Sequence, residues 1–485
     1  MSAVAQEIEL LSRQRKKELG VKGAATAKNV WQTKSSLLQL LTRFTMDEEP
    51  WVDPATGEVL DEARISRNAI SSFDLFINWM IAASIPEDLV SPEGTAIDGT
   101  GVEAYALYRR PIQPAGRAGK PGKGKENGGS GGIPDPGPRR CADLDARWGK
   151  KTATDNHPKE MYFGYEAHFA VDAYPQGTVD APRVLRSFVL VPASSDRAAA
   201  AVAALDIIKK VAAEGYRLSR VYIDRGYSML KAENVQLPLW QRGLSPVFDL
   251  AQNQKTTQPS THSGTIFIDG GLFSEALPEK LRKLPSPRES GISSEESAKR
   301  AKSFDERNDY AYRPHGARDP ETGRQRFKGP ATAGKLRCPN NAESMRVDYK
   351  YETNCAPDTA ETKCGCSGTV TVGPEEHARE SQWPLFGTTA WLKLYGARNA
   401  VESFNADVRT NKLNWRRGYV KTFNRPRTGF LLAISLVALN YWIVRDWAFK
   451  RRLQSPWGGE HWDFGPEPKK TRARRTKLIT DQPDS

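Results

Sequence analysis

Apolar residues recur along this chain with two different periods. Ile70, Phe73, Ile77 and Met80 return at intervals of three and four, which predicts an amphipathic helix that Pro86 ends. Residues 1–90 as a whole read as helical. Residues 95–105, 164–172 and 183–191 then alternate with a period of two, predicting three consecutive strands joined as an antiparallel meander. An Ala-rich helix over 195–213, with Asp196 near its start, leads to a short apolar strand that ends in Asp224. Residues 395–409 hold no Pro and no Gly after Gly396, so they are predicted as a helix. Ala397, Val401, Phe404 and Val408 form its apolar stripe, and Tyr395, Arg398, Glu402 and Arg409 the neighbouring polar one. Residues 428–444 are the most apolar run, short for a membrane span and flanked by Arg427 and Arg445, which predicts a buried core helix.

Between these segments the composition changes twice. Residues 111–138 are rich in Gly, Pro and Lys and hold too little apolar area to order themselves, so a mobile basic loop is expected. Its cations suit DNA phosphates or simple solvation. The long interval from Asp224 to Glu402 calls for an inserted unit over residues 252–390. The predicted organisation is a helical N-terminal region over 1–90 and a first core segment over 91–251. The insertion follows, then C-terminal core helices over 391–448 and a basic, disordered tail over 449–485 with six basic residues between Lys469 and Lys477. A chain of 485 residues suggests two or three compact units.

The formal charge of +13 favours a polyanionic partner, nucleic acid most simply, although an anionic membrane surface attracts the same charge. The N-terminus carries Glu7 and Glu9 before Leu10 and Leu11 and lacks a signal-peptide core, so a cytoplasmic location is expected and no membrane partner. A basic patch at Arg13, Arg15, Lys16 and Lys17 marks the first helices, for DNA-end binding or for ordinary packing. Five cysteines, an odd number, fit a reducing compartment.

Four acidic residues stand in distinctive settings. Asp98 follows Ile97 and precedes Gly99-Thr100; taken alone, Asp-Gly is a turn signal. Asp224 opens Asp-Arg-Gly-Tyr, and Asp269 in Ile-Phe-Ile-Asp-Gly-Gly closes another apolar run, where a hairpin turn is the better reading. Glu402 lies four residues after Arg398, a spacing that also suits an ordinary surface ion pair worth about 0.3–0.5 kcal/mol. Tyr395, Arg398 and Glu402 repeat the spacing of the third-acid signature of bacterial insertion-sequence transposases, with Arg409 where that group has Lys. The chain resembles a DDE transposase over roughly residues 92–412, and Asp224-Arg225-Gly226-Tyr227 is similar to that family's second motif. Residues 382–388, leading into Trp391, are also similar to family members.

The resemblance implies an α+β or α/β fold with a ribonuclease-H-like catalytic core, a mixed sheet flanked by helices and interrupted by the insertion. The order of strands, helix, fourth strand and acid-bearing helix agrees with such a core. It implies Asp98, Asp224 and Glu402 as catalytic ligands of two Mg²⁺ ions, Mn²⁺ substituting, because hard cations take oxygen donors. Tyr395, Arg398, Arg409 and Lys412 would contact DNA, meaning element ends with terminal inverted repeats and target DNA, bound by a homodimer or higher oligomer at the nucleoid. A metal-dependent nuclease on the same fold, or a domesticated protein that only binds DNA, are the alternatives. His168, inside a strand, reads as structural. Cys338, Cys355, Cys364 and Cys366 lack a Cys-x-x-Cys pair, which favours free reduced thiols, with a zinc site as the alternative.

Overall fold

The computed structural model describes residues 2–458 except 45–50, 53–58, 62–69, 107–141 and 152–159, with short gaps at 11, 19–22, 25, 90–92, 144, 176, 213–215, 360–362 and 416–417. The basic loop, most of the basic tail, Arg416, Arg417 and Cys141 therefore lie outside the described residues.

The N-terminal region contains α1 (Ser2–Leu10), α2 (Arg13–Glu18) and α3 (Ala27–Phe44), then a hairpin of β1 (Trp51–Val52) and β2 (Val59–Asp61) that the helical reading did not include. Next, α4 (Ser72–Ala83) starts at a capping box in which Ser71 and Asp74 bond each other's backbone N–H. Its apolar stripe of Phe73, Ile77 and Ile81 is fully buried in the main core. This helix is part of the core rather than of a separate N-terminal region.

The main sheet follows. Its strands are β3 (Gly94–Glu103), β4 (Arg147–Lys151), β5 (Glu160–Asp172), β6 (Leu185–Pro192), β7 (Arg220–Tyr222) and, after two short helices, β8 (Ser245–Val247). Helix α5 (Arg197–Val211) crosses from β6 to β7, with Asp196 capping it by accepting the Ala198 and Ala199 N–H groups. Those two short helices are α6 (Arg225–Ser228) and α7 (Gln236–Gln241). β3, β5 and β6 form the antiparallel meander, and β7 and β8 add on the far side of β3 in parallel. The order is thus β6-β5-β3-β7-β8, and β4 pairs with the first half of β5. Residues 147–151, read as the close of a loop, are a strand. Alternation sorts β5: Ser187 on β6 bonds the Ala204 carbonyl of α5, so its neighbour Phe188 and that residue's register partner Phe169 face the opposite side.

The chain from 257 to 385 builds its own small cores. A three-stranded sheet of β9 (Thr257–Pro259), β10 (Thr265–Ile268) and β11 (Gly271–Ser274) precedes α8 (Ser294–Asn308). A second sheet joins β12 (Arg313–Pro314), β13 (Gln325–Lys328) and β14 (Thr369–Val372), with α9 (Ala342–Met345) between the last two. Asp269 and Gly270 form the β10–β11 turn with φ of 48° and 75°, the left-handed pair that a two-residue hairpin needs. Arg307, buried with Asp269, donates to it at 2.9 Å.

The C-terminal part is α10 (Thr389–Tyr395), a 3₁₀ turn at Gly396–Arg398, α11 (Asn399–Ala406), a π-helical turn at Asp407–Asn411, and α12 (Arg425–Lys450). The single helix expected over 395–409 is thus three helical types in succession. α12 is long and apolar enough by composition to cross a membrane, and half of its apolar window is buried in this fold against α4 and β6. The whole is a mixed α+β architecture, a curled mixed sheet flanked by helices.

Candidate active site

Strand register brings two of the sequence-selected acids level. β3 and β7 are parallel neighbours with Ala96 opposite Tyr222; Asp98 lies two residues beyond the first and Asp224 two beyond the second. Side chains two apart share a face, so both carboxylates project on one side, Asp98 from the middle of β3 and Asp224 from just past the carboxyl end of β7. Asp224 also caps α6, accepting the Tyr227 N–H at 3.2 Å.

Helix α11 supplies the third acid. Phe404 packs edge-on to Phe169 with centroids 5.4 Å apart, and Phe169 is the register partner of Asp98. That contact fixes the helix over the acid: Asn405, the next residue, donates from Nδ2 to Asp98 Oδ2 at 2.9 Å. One turn earlier Arg398 is paired with Glu402 and reaches Asp224 at 3.9 Å. Asp98, Asp224 and Glu402 therefore surround one guanidinium. Asp98 is pushed up to about 7, first by desolvation, then by the Asp224 charge, with Arg398 opposing both.

At two glycines a carboxylate approaches the backbone closely. A Cβ at Gly226 would sit 3.0 Å from an Asp224 carboxylate oxygen, and one at Gly99 would sit 2.8 Å from Glu166. The two Asp-x-Gly and Asp-Gly motifs thus have a steric basis. Behind the sheet, on the α5 side, Arg197 pairs with Glu166 at 2.8 Å and His168 Nδ1 meets the Tyr227 hydroxyl at 2.9 Å. Burial pushes His168 down to about 3, so the ring is neutral, as a structural histidine should be.

Partners within the chain engage several of the residues expected to contact DNA. Tyr395, expected to touch DNA, is 4 % exposed and stacks on Trp391, with Arg288 over its ring. Arg398, expected on phosphate, has a side chain only 14 % exposed and engages carboxylates instead. Lys412 is paired with Asp407 at 3.3 Å. Arg409 is exposed, on the π-helical turn that follows α11. Asn405, Glu166 and Arg197 escaped the sequence reading, since an Asn one position from a buried Phe carries no signal until the helix is docked.

Oxygen donors suit a hard divalent cation here: Asp98, Asp224, Glu402 and Asn405, whose Oδ1 is buried without a partner. Glu402 is half exposed on an i,i+4 pair that costs little to break. Among the described residues, the side chains whose ligand atoms already lie together are elsewhere: Cys338, Cys355, Cys364 and Cys366 have all four sulfurs within 4.8 Å of one another and could hold a metal. Comparison with known protein families, with curated proteins and with solved structures finds no match to this chain.

Proposed function

We propose that the chain cuts and rejoins DNA as a metal-dependent transposase of the DDE kind, built on a ribonuclease-H-like core. The observation that carries this reading is the convergence of Asp98, Asp224 and Glu402 around Arg398, from two parallel neighbouring strands and one helix. The strand order, a three-strand meander followed by two parallel additions, supports the same core.

Divalent cations held by Asp98, Asp224 and Glu402 would activate water or a 3′-hydroxyl and stabilise the leaving alkoxide of a phosphodiester. The chain's own part is to hold these carboxylates without water-borne disorder. Asn405 fixes the Asp98 rotamer, the Tyr227 N–H fixes Asp224, and Arg398 neutralises the cluster until the negative charge is compensated otherwise. Exposed Arg409 suits a backbone phosphate, a contact that orients DNA without reading its sequence.

The test uses DNA that carries the sequences flanking the chain's own gene, incubated with Mg²⁺. Cut 3′ ends and joined products are expected from the parent, and neither from Glu402→Gln, which should bind the same DNA at least as well. Cutting without joining would favour the nuclease, and binding alone a protein without catalysis. Near-parental cutting by Glu402→Gln would sink the assignment.

A further inference from the structure

We propose that Cys338, Cys355, Cys364 and Cys366 hold one zinc ion, a tetrathiolate centre that pins the insertion; this stands whether or not the chain cuts DNA. The distances select a mononuclear site. Cys338 and Cys364 sulfurs are 3.6 Å apart, and those of Cys355 and Cys366 are 3.7 Å apart. Four sulfurs at about 2.3 Å from a tetrahedral zinc are separated by about 3.8 Å along each edge. A disulfide needs about 2.05 Å, so neither pair is bonded, and all four thiols are free.

The surroundings match what four thiolates on one dication require. The centre would carry a net charge of about −2, which needs donors aimed at sulfur. Ser274 Oγ lies 3.1 Å from Cys366 Sγ, and Thr353 Oγ1 lies 3.3 Å from Cys355 Sγ. The Cys366 N–H donates to Cys364 Sγ at 3.3 Å, and Ser367 Oγ stands 3.9 Å from Cys338 Sγ. Two rotatable hydroxyls and a backbone amide thus already touch three of the four sulfurs.

Backbone pairing, not sequence spacing, closes the site. The Arg337 N–H donates to the Tyr351 carbonyl and the Thr353 N–H to the Arg337 carbonyl, which sets Cys338 beside Cys355. Cys364-Gly365-Cys366 turns against Gly264 so closely that any Cβ at Gly365 would overlap the Gly264 carbonyl. Tyr312 locks that turn by donating to the Gly365 carbonyl. Cys338 and Cys366 belong to the insertion's own core beside Leu336, Tyr310 and Phe273. An ion there would therefore tie together chain segments that only a small core otherwise holds.

Full-length protein purified without chelator should contain about one zinc per chain by elemental analysis. Replacement by Co²⁺ should give intense sulfur-to-metal charge-transfer bands of a tetrahedral thiolate site. Cys355→Ser and Cys364→Ser should each lower zinc content at least about tenfold, whereas Cys141→Ser should leave it unchanged. Stripping the metal should expose residues 338–366 to protease. Parent protein that is folded but metal-free, with four alkylatable thiols or two disulfides, would overturn the proposal, as would iron in place of zinc or zinc retained in a Cys355→Ser/Cys364→Ser double variant.

Discussion

Asp98 is where the chain's chemistry can be read most directly. Its pKa lies at about 7 in the folded protein against an ordinary 3.8, because desolvation and Asp224 disfavour its charged form. Between those values the folded chain keeps a proton that the unfolded chain has released, so this residue lowers stability as pH rises from about 4 to about 7. Asp98→Asn removes the charge while keeping a polar group for Asn405. Without added divalent cations, the variant should be more stable than the parent near pH 8, by roughly 1–4 kcal/mol, and similar to it near pH 4. Asp172, pushed up to about 6 by burial, and Glu166, also raised by burial, slope the same way. The measurement is thus the difference between variant and parent midpoints in denaturant at the two pH values; a variant that is less stable near pH 8 would contradict it. The resemblance, more than the residues alone, singled out Asp98, Asp224 and Glu402, since Asp-Gly by itself signals only a turn and Arg398–Glu402 only an ion pair. Spacing on a helix says which residues share a stripe and not whether the stripe faces water, so the burial of Tyr395 and Arg398 was not legible. Once α10 is packed, the Tyr395 ring belongs with Trp391.

At the scale of elements, the free edge of β6 shows how helices and sheet are matched. An edge strand offers unpaired N–H and C=O groups to any other strand. Here two asparagines take the place of a partner. Asn78 on α4 accepts from the Phe188 N–H and donates to its carbonyl, both at 2.8 Å, and Asn440 on α12 does the same for Leu185 at 2.9 Å. Asn440 sits in the most apolar run of the chain, and its side chain is completely buried. Asn440→Ala should leave both Leu185 groups unsatisfied and destabilise by about 2–4 kcal/mol, with faster amide exchange at Leu185 than at Phe188. Equal exchange at the two sites, or a loss below about 0.5 kcal/mol, would show that the amide clamp is dispensable. The meander and α5 were legible from period and capping, whereas β4 was not: its Trp-Gly-Lys-Lys has no alternation and is a strand because β5 extends beyond β6 to receive it.

Across the whole molecule, the first and last elements of the core hold each other. Asp74 on α4 and Arg425 at the start of α12 form a buried ion pair with each side chain 4 % exposed, although 351 residues separate them. Arg425 also donates to the Leu190 carbonyl, and its N–H reaches Asp145 at 2.7 Å. The insertion is anchored in a similar way: Asp305 of α8 accepts the Thr389 N–H at the start of α10, and Phe304, Phe386 and Trp391 pack in succession toward the acid-bearing helix. Such links cannot be read from a sequence, because each joins residues that local pattern treats as unrelated. They predict cooperative unfolding of α4 with the C-terminal helices. Arg425→Met should cost about 3–5 kcal/mol, since it strands the Asp74 carboxylate in the core, and the loss should appear as one transition by circular dichroism and by tryptophan fluorescence. Adding Asp74→Asn should recover at least half of that loss, because the remaining partner then carries no charge while still accepting the Ser71 cap. If Arg425→Met costs less than about 1 kcal/mol, or if the second change deepens the loss, the pair does not join the two ends of the core.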